Sequence, residues 1–281
     1  MKLKKNGTLV IMSGCSGVGK NTVITNLIRK NNDYSILPTY TTRNKRENES
    51  QGNPYYFISD KEFIDRINNN DFYEYELVHN HYYGTSKSLL NQFSNDSKVL
   101  IKDIDVKGTQ NLMKSIGNDI RIISFFLYVK DKDVLVDRLI GRGEKEIDLR
   151  LSRYDMEMDY CNKYMYQIDN NNLDLTIQTV ESLVSFEIGG KYLKASQRIQ
   201  DLNWNTVEYY INEIEDGADI EPIEIALYQG DWYVIDGHHR YVASVAKNKR
   251  ISRKVINVDN VDKYEQYSWE DLYESVEKKY R

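Results

Sequence analysis

A short apolar run, Thr8-Leu9-Val10-Ile11-Met12, leads into Ser13-Gly14-Cys15-Ser16-Gly17-Val18-Gly19-Lys20. Thr22-Val23-Ile24-Thr25-Asn26-Leu27-Ile28 then continues with helical spacing. A strand, a glycine-rich turn and a helix in that order form the setting in which a phosphate-binding loop, or P-loop, works. Glycines let backbone N–H groups converge on phosphate oxygens, the helix N-terminus adds positive potential, and Lys20 reaches the transferred phosphate. Gly14, Ser16, Gly17, Gly19, Lys20, Asn21 and Thr22 are therefore candidate nucleotide-binding residues, with Lys20 catalytic. Asn21 stands where a hydroxyl residue usually ligates magnesium. An amide oxygen still holds a metal-bound water, so Asn21 is a candidate metal residue beside Thr22.

The rest of the first part predicts an alternating strand–helix series. Val99-Leu100-Ile101-Lys102-Asp103-Ile104-Asp105 reads as a strand with carboxylates at its end, and Ile122–Val129 as a strand buried on both faces. Asp131 offers an N-cap to a helix carrying Val134, Leu135 and Leu139. Such alternation implies a parallel sheet with helices on both faces. Residues 39–97 interrupt it with polar and aromatic sequence and predict an inserted substrate subdomain.

Composition bounds the rest. The 281 residues suit two domains, and apolar residues at 40% suffice for a packed core. No run of about 18 apolar residues occurs, which excludes a membrane-spanning helix, and the N-terminal basic stretch lacks the apolar segment of a signal peptide. Two cysteines, Cys15 and Cys161, make no disulfide framework, and the expected setting is a reducing cytoplasm. Residues from Phe186 onward carry 13 basic and 18 acidic side chains, so the net charge of −5 lies wholly there. That balance argues against coating DNA by charge alone.

Thr41-Thr42-Arg43-Asn44-Lys45-Arg46, then Glu49, Gly52 and Tyr55, sets two arginines three apart beside an acid and a phenol. Guanidinium forks match phosphate oxygens, so this cluster suits a phosphomonoester. At this point the chain resembles the guanylate kinase family from about Leu9 to Leu183. The shared blocks are the P-loop, Thr-Thr-Arg-x-x-Arg-x-x-Glu, Phe72-Tyr73-Glu74, Tyr82-Tyr83-Gly84-Thr85, Asp103-Ile104-Asp105-Val106-x-Gly108, Arg138-Leu139-x-x-Arg142-Gly143, Ile147-x-x-Arg150-Leu151 and Asn170 before Leu173-Asp174. The resemblance implies a kinase domain over residues 1–184, with a nucleoside-monophosphate-binding subdomain at 39–97 and a lid at about 142–160. It implies transfer of the ATP γ-phosphate to GMP or dGMP with Mg²⁺. Arg43, Arg46, Tyr55 and Tyr83 would hold the acceptor phosphate, with Glu49 positioning the arginines. Thr39, Glu74, Thr85 and Asp103 would read the guanine edge. Arg142 and Arg150 would close from the lid, Arg138 being the weaker candidate of the three arginines, Asn170 would lie on the ATP side, and Asp105 would join the magnesium water shell. Guanine presents N1–H and N2–H₂ as adjacent donors that one carboxylate accepts together, whereas adenine leaves that carboxylate unpaired. Asp103 and Asp105, two apart on one strand, should face the same side.

From about 185 the pattern changes, predicting a second small α+β domain over 185–281. Val184–Ile188 with Gly189-Gly190 reads as a strand and turn, Thr206–Ile214 as a helix, and Ile223–Tyr228 with Trp232–Ile235 as a hairpin. A helix is expected after Asp236-Gly237 and another, amphipathic, over the last 20 or so residues. Asp236-Gly237-His238-His239-Arg240-Tyr241-x-Ala243 resembles the ParB/sulfiredoxin-like superfamily over about Phe186 to Val258. Such a turn implies a nucleotide phosphate met by backbone N–H groups and by Arg240, with His238 and His239 donating or handling a proton and titrating between pH 6 and 8. The cysteine of the sulfiredoxin branch is replaced by His238, which excludes sulfinic acid reduction, and no helix-turn-helix of the ParB kind is found. Open alternatives are a second kinase in this domain, a kinase for a modified guanine nucleotide, a guanylate-kinase-like binding module without catalysis, and a nucleic-acid factor using Lys247, Lys249, Arg250, Arg253 and Lys254. His79-Asn80-His81 has the look of a metal pair but reads better as a solvated hairpin turn.

Overall fold

The structure is a computed structural model that describes residues 7–46, 49–78, 80–96, 99–117, 120–141, 143 and 147–257. In chain order the elements begin β1 (Thr8–Gly14), α1 (Lys20–Lys30), β2 (Tyr34–Ile36), β3 (Thr39–Thr41), β4 (Ser50–Gln51), β5 (Pro54–Phe57) and α2 (Asp60–Asn68). They continue with β6 (Phe72–Val78), β7 (His81–Ser86), α3 (Lys87–Asp96), β8 (Val99–Asp103), α4 (Val106–Ile116), β9 (Arg121–Tyr128), α5 (Lys132–Gly141) and α6 (Ile147–Met158). Then come β10 (Tyr166–Asp169), α7 (Leu173–Ile188), β11 (Lys194–Ala195), α8 (Trp204–Glu215), β12 (Ile223–Tyr228), β13 (Asp231–Asp236), α9 (His238–Ala246) and β14 (Arg253–Val255). Two compact units result: one holds the chain up to Met158 together with Asn170–Ile188, the other Asp159–Asp169 with the chain from Gly189.

The first unit is built on parallel strands in the order β9-β1-β8-β2. Every residue of β1 is buried, as an apolar strand covered on both faces requires. On one face Leu9, Ile11 and Leu100 join Phe63, Leu90, Leu112 and Ile116 in a continuous core. On the helix side, α1 buries Val23, Ile24 and Leu27 and lies against α7. Residues 39–86 form a second sheet in the order β4-β5-β3-β7-β6, held by Phe63 stacked between Phe72 and Tyr82 at 4.5 and 5.1 Å.

Two local expectations are corrected. Val184–Ile188 is the last turn of α7 and not a strand, because Ile177, Val180, Leu183 and Val184 bury one helical stripe. Asp105 is not on the strand with Asp103: β8 ends at Asp103, and Asp105 is the N-cap of α4, its Oδ1 accepting from the N–H groups of Lys107 and Gly108 at 2.9 Å each. The expected helix of the last 20 or so residues lies outside the described residues, as do Arg142 and His79.

The second unit carries strands in the order β11-β13-β12-β14-β10, with only β12–β13 antiparallel. Ile223 and Ile225 face its core with Trp232, Val234, Tyr241 and Val242, and α8 adds Val207, Ile211 and Ile214.

Candidate functional site

The loop after β1 is shaped by its glycines. Gly14 has φ +137°, and a Cβ there would lie 1.9 Å from the Leu127 carbonyl oxygen of β9. Gly19, at φ 102°, caps α1 in the left-handed region. Cys15 and Val18 are fully buried, so the loop turns these two side chains inward. Lys20 Nζ donates to the carbonyls of Gly14 (2.8 Å) and Cys15 (3.2 Å), which parks the ammonium over the loop. Asn170 Nδ2 and Arg138 Nη1 both donate to Val18 O, at 2.7 and 3.3 Å, and brace the loop from outside.

Helix α6 reaches the same place. Arg150 Nη1 donates to Ser16 Oγ at 3.1 Å, while the Ser16 backbone N–H donates to Glu157 Oε2 at 2.9 Å. Glu157 is buried and pairs with Arg153 at 3.4 Å, one turn away on α6. A carboxylate thus occupies an amide of the kind that binds phosphate. Glu157 was not anticipated from the sequence. Its signal was the helical spacing Arg150, Arg153, Glu157, which places all three on one stripe.

The acceptor side is assembled by β3, β5, β6 and β7. Arg43 grips Glu49 with two parallel bonds, 2.9 and 2.7 Å, and its guanidinium lies 5.1 Å from the Tyr55 ring centroid and 5.4 Å from that of Phe57. Glu49 Oε2 also accepts from Arg46 N–H at 2.8 Å. The Arg43 hydrogen bonds hold the Glu49 carboxyl down at about 2. Tyr55 and Tyr83 meet edge to face at 6.1 Å, and burial pushes the Tyr55 phenol up to about 12. Glu74 is buried, takes a hydrogen bond from Thr85 Oγ1, and is raised above the usual carboxylate range by desolvation. Asp103 is raised for the same reason, against the opposing charges of Lys20 and Lys102.

Lys102 was also not foreseen. It follows the apolar Val99-Leu100-Ile101 of β8, and it is buried, donating to Thr39 Oγ1. Desolvation lowers its ammonium to about 8, against the favourable charges of Glu74 and Asp103.

One cavity of about 270 Å³ is lined by Gly14, Ser16, Lys20 and Arg150 together with Thr39, Glu74 and Lys102. A second, of about 390 Å³, carries Asn21, Arg43, Arg46 and Glu49 and shares Thr39, Tyr55, Tyr83 and Asp103 with the first. Of the residues expected from the sequence in the first unit, all but Gly17, Gly19, Thr22, Thr85, Arg138, Asn170 and the undescribed Arg142 line one of these two cavities.

In the second unit the geometry differs from expectation. Arg240 Nη1 donates to the carbonyls of Glu221 (3.2 Å) and Pro222 (3.0 Å), and Nη2 to Asp236 at 2.7 Å, so the guanidinium locks the turn instead of pointing out. Gly237, at φ 86°, caps α9. The Ser196 hydroxyl gives its proton to Val234 O and so accepts from His238 Nε2 at 3.1 Å. His239 Nε2 accepts from Asn203 N–H at 3.0 Å. Burial lowers His238 to about 4, which takes it out of the pH 6–8 range the sequence suggested, and burial also lowers His239. The basic residues of the nucleic-acid alternative are engaged within the unit: Lys247 with Glu215, Lys249 with Ile214 O, Arg250 with Met165 Sδ, Arg253 with Tyr166 Oη and Lys254 with Glu224.

The His238 shift carries a stability prediction. A folded value depressed below the unfolded 6.5 leaves stability intact above pH 6.5 and removes it as pH falls toward 4, where only the unfolded chain binds the proton. At pH 5 the loss should be on the order of 2 kcal/mol. All three tryptophans lie from Trp204 onward, so urea unfolding read by tryptophan fluorescence follows this unit. His238→Gln should flatten its midpoint between pH 7 and 5; an unflattened profile refutes the assignment.

A parallel sheet ending in a phosphate loop, with arginine and lysine converging on one cavity, defines a P-loop phosphotransferase. A family model described as guanylate kinase matches residues 6–187. The guanylate kinase of Clostridium tetani is 35% identical over 186 residues, covering 65% of this chain and 88% of the relative. That of Thermotoga maritima is 33% identical over 186 residues, covering 64% and 87%. The crystal structure of guanylate kinase from Anaplasma phagocytophilum shares the fold with a TM-score of 0.52 at 24% identity, over 66% of this chain and 88% of that one. The chain belongs to the guanylate kinase family, which are nucleoside monophosphate kinases. Among the described residues no helix is long and apolar enough to cross a membrane.

Proposed function

We propose that the chain transfers the γ-phosphate of ATP to GMP or dGMP. The observation that carries this reading is the shared cavity, lined both by Lys20 with the phosphate loop and by the buried Glu74 carboxylate. The Glu74 carboxylate accepts from Thr85, and its remaining lone pairs suit the N1–H and N2–H₂ donors of guanine. Arg43, aimed by Glu49 and by the Tyr55 ring, and Arg46 hold the acceptor phosphate. The attacking oxygen already belongs to a phosphate anion, so no general base is required. Catalysis is alignment plus neutralisation of charge on the transferred group by Lys20 and by Arg150, with Arg142 as a further lid candidate.

Asp105 lines the cavity that holds Lys20, and Asn21, next to Lys20 in the chain, lines the other; either would offer one oxygen to magnesium, a cation that keeps several waters and takes one or two protein oxygens. When bound it supplies charge neutralisation to the phosphates. Within the chain, Asp105 serves this from a fixed position because its own capping bonds to α4 hold it.

For the second unit we carry forward a nucleotide-binding module of the ParB/sulfiredoxin-like kind. The β12–β13 hairpin, the left-handed Gly237 and the start of α9 favour it. In this reading the backbone N–H groups meet phosphate and Arg240 shapes the turn.

The test is incubation of the full chain with ATP, Mg²⁺ and each nucleoside monophosphate in turn, with products resolved by mass. The expected product is GDP or dGDP with ADP. Transfer to no monophosphate, or to AMP or CMP in preference, sinks the proposal.

A further inference from the structure

Lys102 is the most deeply buried cation among the described residues, at 1% exposure, and it sits in the wall of the acceptor cavity. Strand alternation explains how it comes to be there. Leu100, two residues earlier on β8, faces the core beneath the inserted subdomain, and Lys102 faces the same side one pleat nearer the strand end where the cavity opens. Burial of an ammonium is costly unless its donors are used. Here the ammonium has a hydrogen bond to Thr39 Oγ1 and the charges of Glu74 and Asp103 nearby, which leaves further N–H donors toward the cavity.

The chemistry of that bond is directional. An ammonium is only a donor, so the Thr39 oxygen must accept, and the Thr39 hydrogen is left to donate elsewhere. The cavity therefore presents two donors, Lys102 and Thr39, beside the acceptor Glu74, with the Asp103 carboxylate also in its wall. A purine with a keto oxygen at C6 and a hydrogen on N1 presents the complementary order along its edge: an acceptor and then donors.

We propose that Lys102 is a specificity-determining residue that, together with the Thr39 hydroxyl it orients, reads the 6-keto oxygen of the acceptor purine. The proposal rests on the guanine-pocket reading above and deepens it. Glu74 selects for the ring hydrogens, while Lys102 selects for the oxygen next to them. A hydrogen bond to a charged donor in a desolvated pocket discriminates by roughly ten- to a hundredfold.

A competing role is that of a countercharge for Glu74 and Asp103 alone, and the experiment separates the two. GMP is compared with 6-thioguanosine monophosphate, in which a weakly accepting sulfur replaces the keto oxygen, by kcat/KM at saturating ATP and Mg²⁺. The parent should prefer GMP by about tenfold or more. In Lys102→Met the preference should fall below about threefold, with GMP losing much more than its thio analogue. If both substrates lose equally and the ratio stays within about twofold of the parent's, Lys102 is a countercharge and the proposal is overturned. Should that variant fail to fold, Lys102→Leu, which also removes the donor, is read by the same ratio: a fall below about threefold supports the proposal, and a ratio within about twofold of the parent's overturns it. A parent that turns over no monophosphate overturns the guanine-pocket reading itself, an outcome distinct from turnover with an unchanged ratio.

Discussion

Replacing Lys20 by alanine is expected to lower kcat for phosphate transfer by roughly a hundred- to a thousandfold while leaving the fold in place. The ammonium bonds the main-chain carbonyls of Gly14 and Cys15, and it stands at the first position of α1, where alanine is a good helix former. Little stability is therefore lost. What is lost is a positive charge aimed where negative charge redistributes during transfer, an interaction stronger in the transition state than in the ground state. The change should fall on kcat more than on KM, measured by coupled ADP release alongside the melting temperature of parent and variant. Equal turnover in the two would end the kinase reading.

Glu74→Gln is expected to cost the GMP-over-AMP preference roughly ten- to a hundredfold. Glutamine keeps the shape, and its amide oxygen still accepts from Thr85 Oγ1. It then offers an NH₂ group to a guanine edge that also presents donors, and two buried donors face each other. The ATP side, 54 residues earlier in the chain at the phosphate loop, is untouched, so KM for ATP should stay within about twofold. The comparison of kcat/KM for GMP and AMP decides it; retained discrimination would locate base reading elsewhere.

The parts legible in the sequence share one property: their signal is local. The apolar run before Gly14, the glycines and Lys20 specify strand, turn and helix within about 20 residues, and the loop forms as its spacing implies. The pairing of Arg43 with Glu49, six residues apart, is equally local. What escaped depends on the third dimension. Val184–Ile188 looks like a strand when read alone, and only the stripe reaching back to Ile177 reveals the helix. Asp105 obeys the alternation rule only if the strand continues, and the capping bonds to Lys107 and Gly108 end it. The charge states of His238 and Lys102 follow from burial, which no spacing encodes. Glu157 meets Ser16 across 141 residues of chain. Arg240 shows the converse: its motif is plain, yet the carbonyls of Glu221 and Pro222 have claimed the guanidinium.

The phosphate loop is built inside out. Its side chains at Cys15 and Val18 are fully enclosed, and its working surface is peptide backbone. A thiol thus lies in the middle of the nucleotide site without being part of it. Thiolate is the species that alkylating agents and oxidants attack, and such reagents need access to sulfur. The folded loop denies that access to Cys15, and Cys161 is buried with its thiol pushed up to about 12. Both sulfurs are thus withdrawn from redox chemistry by packing alone, so that labelling of either one registers local opening of the chain around it.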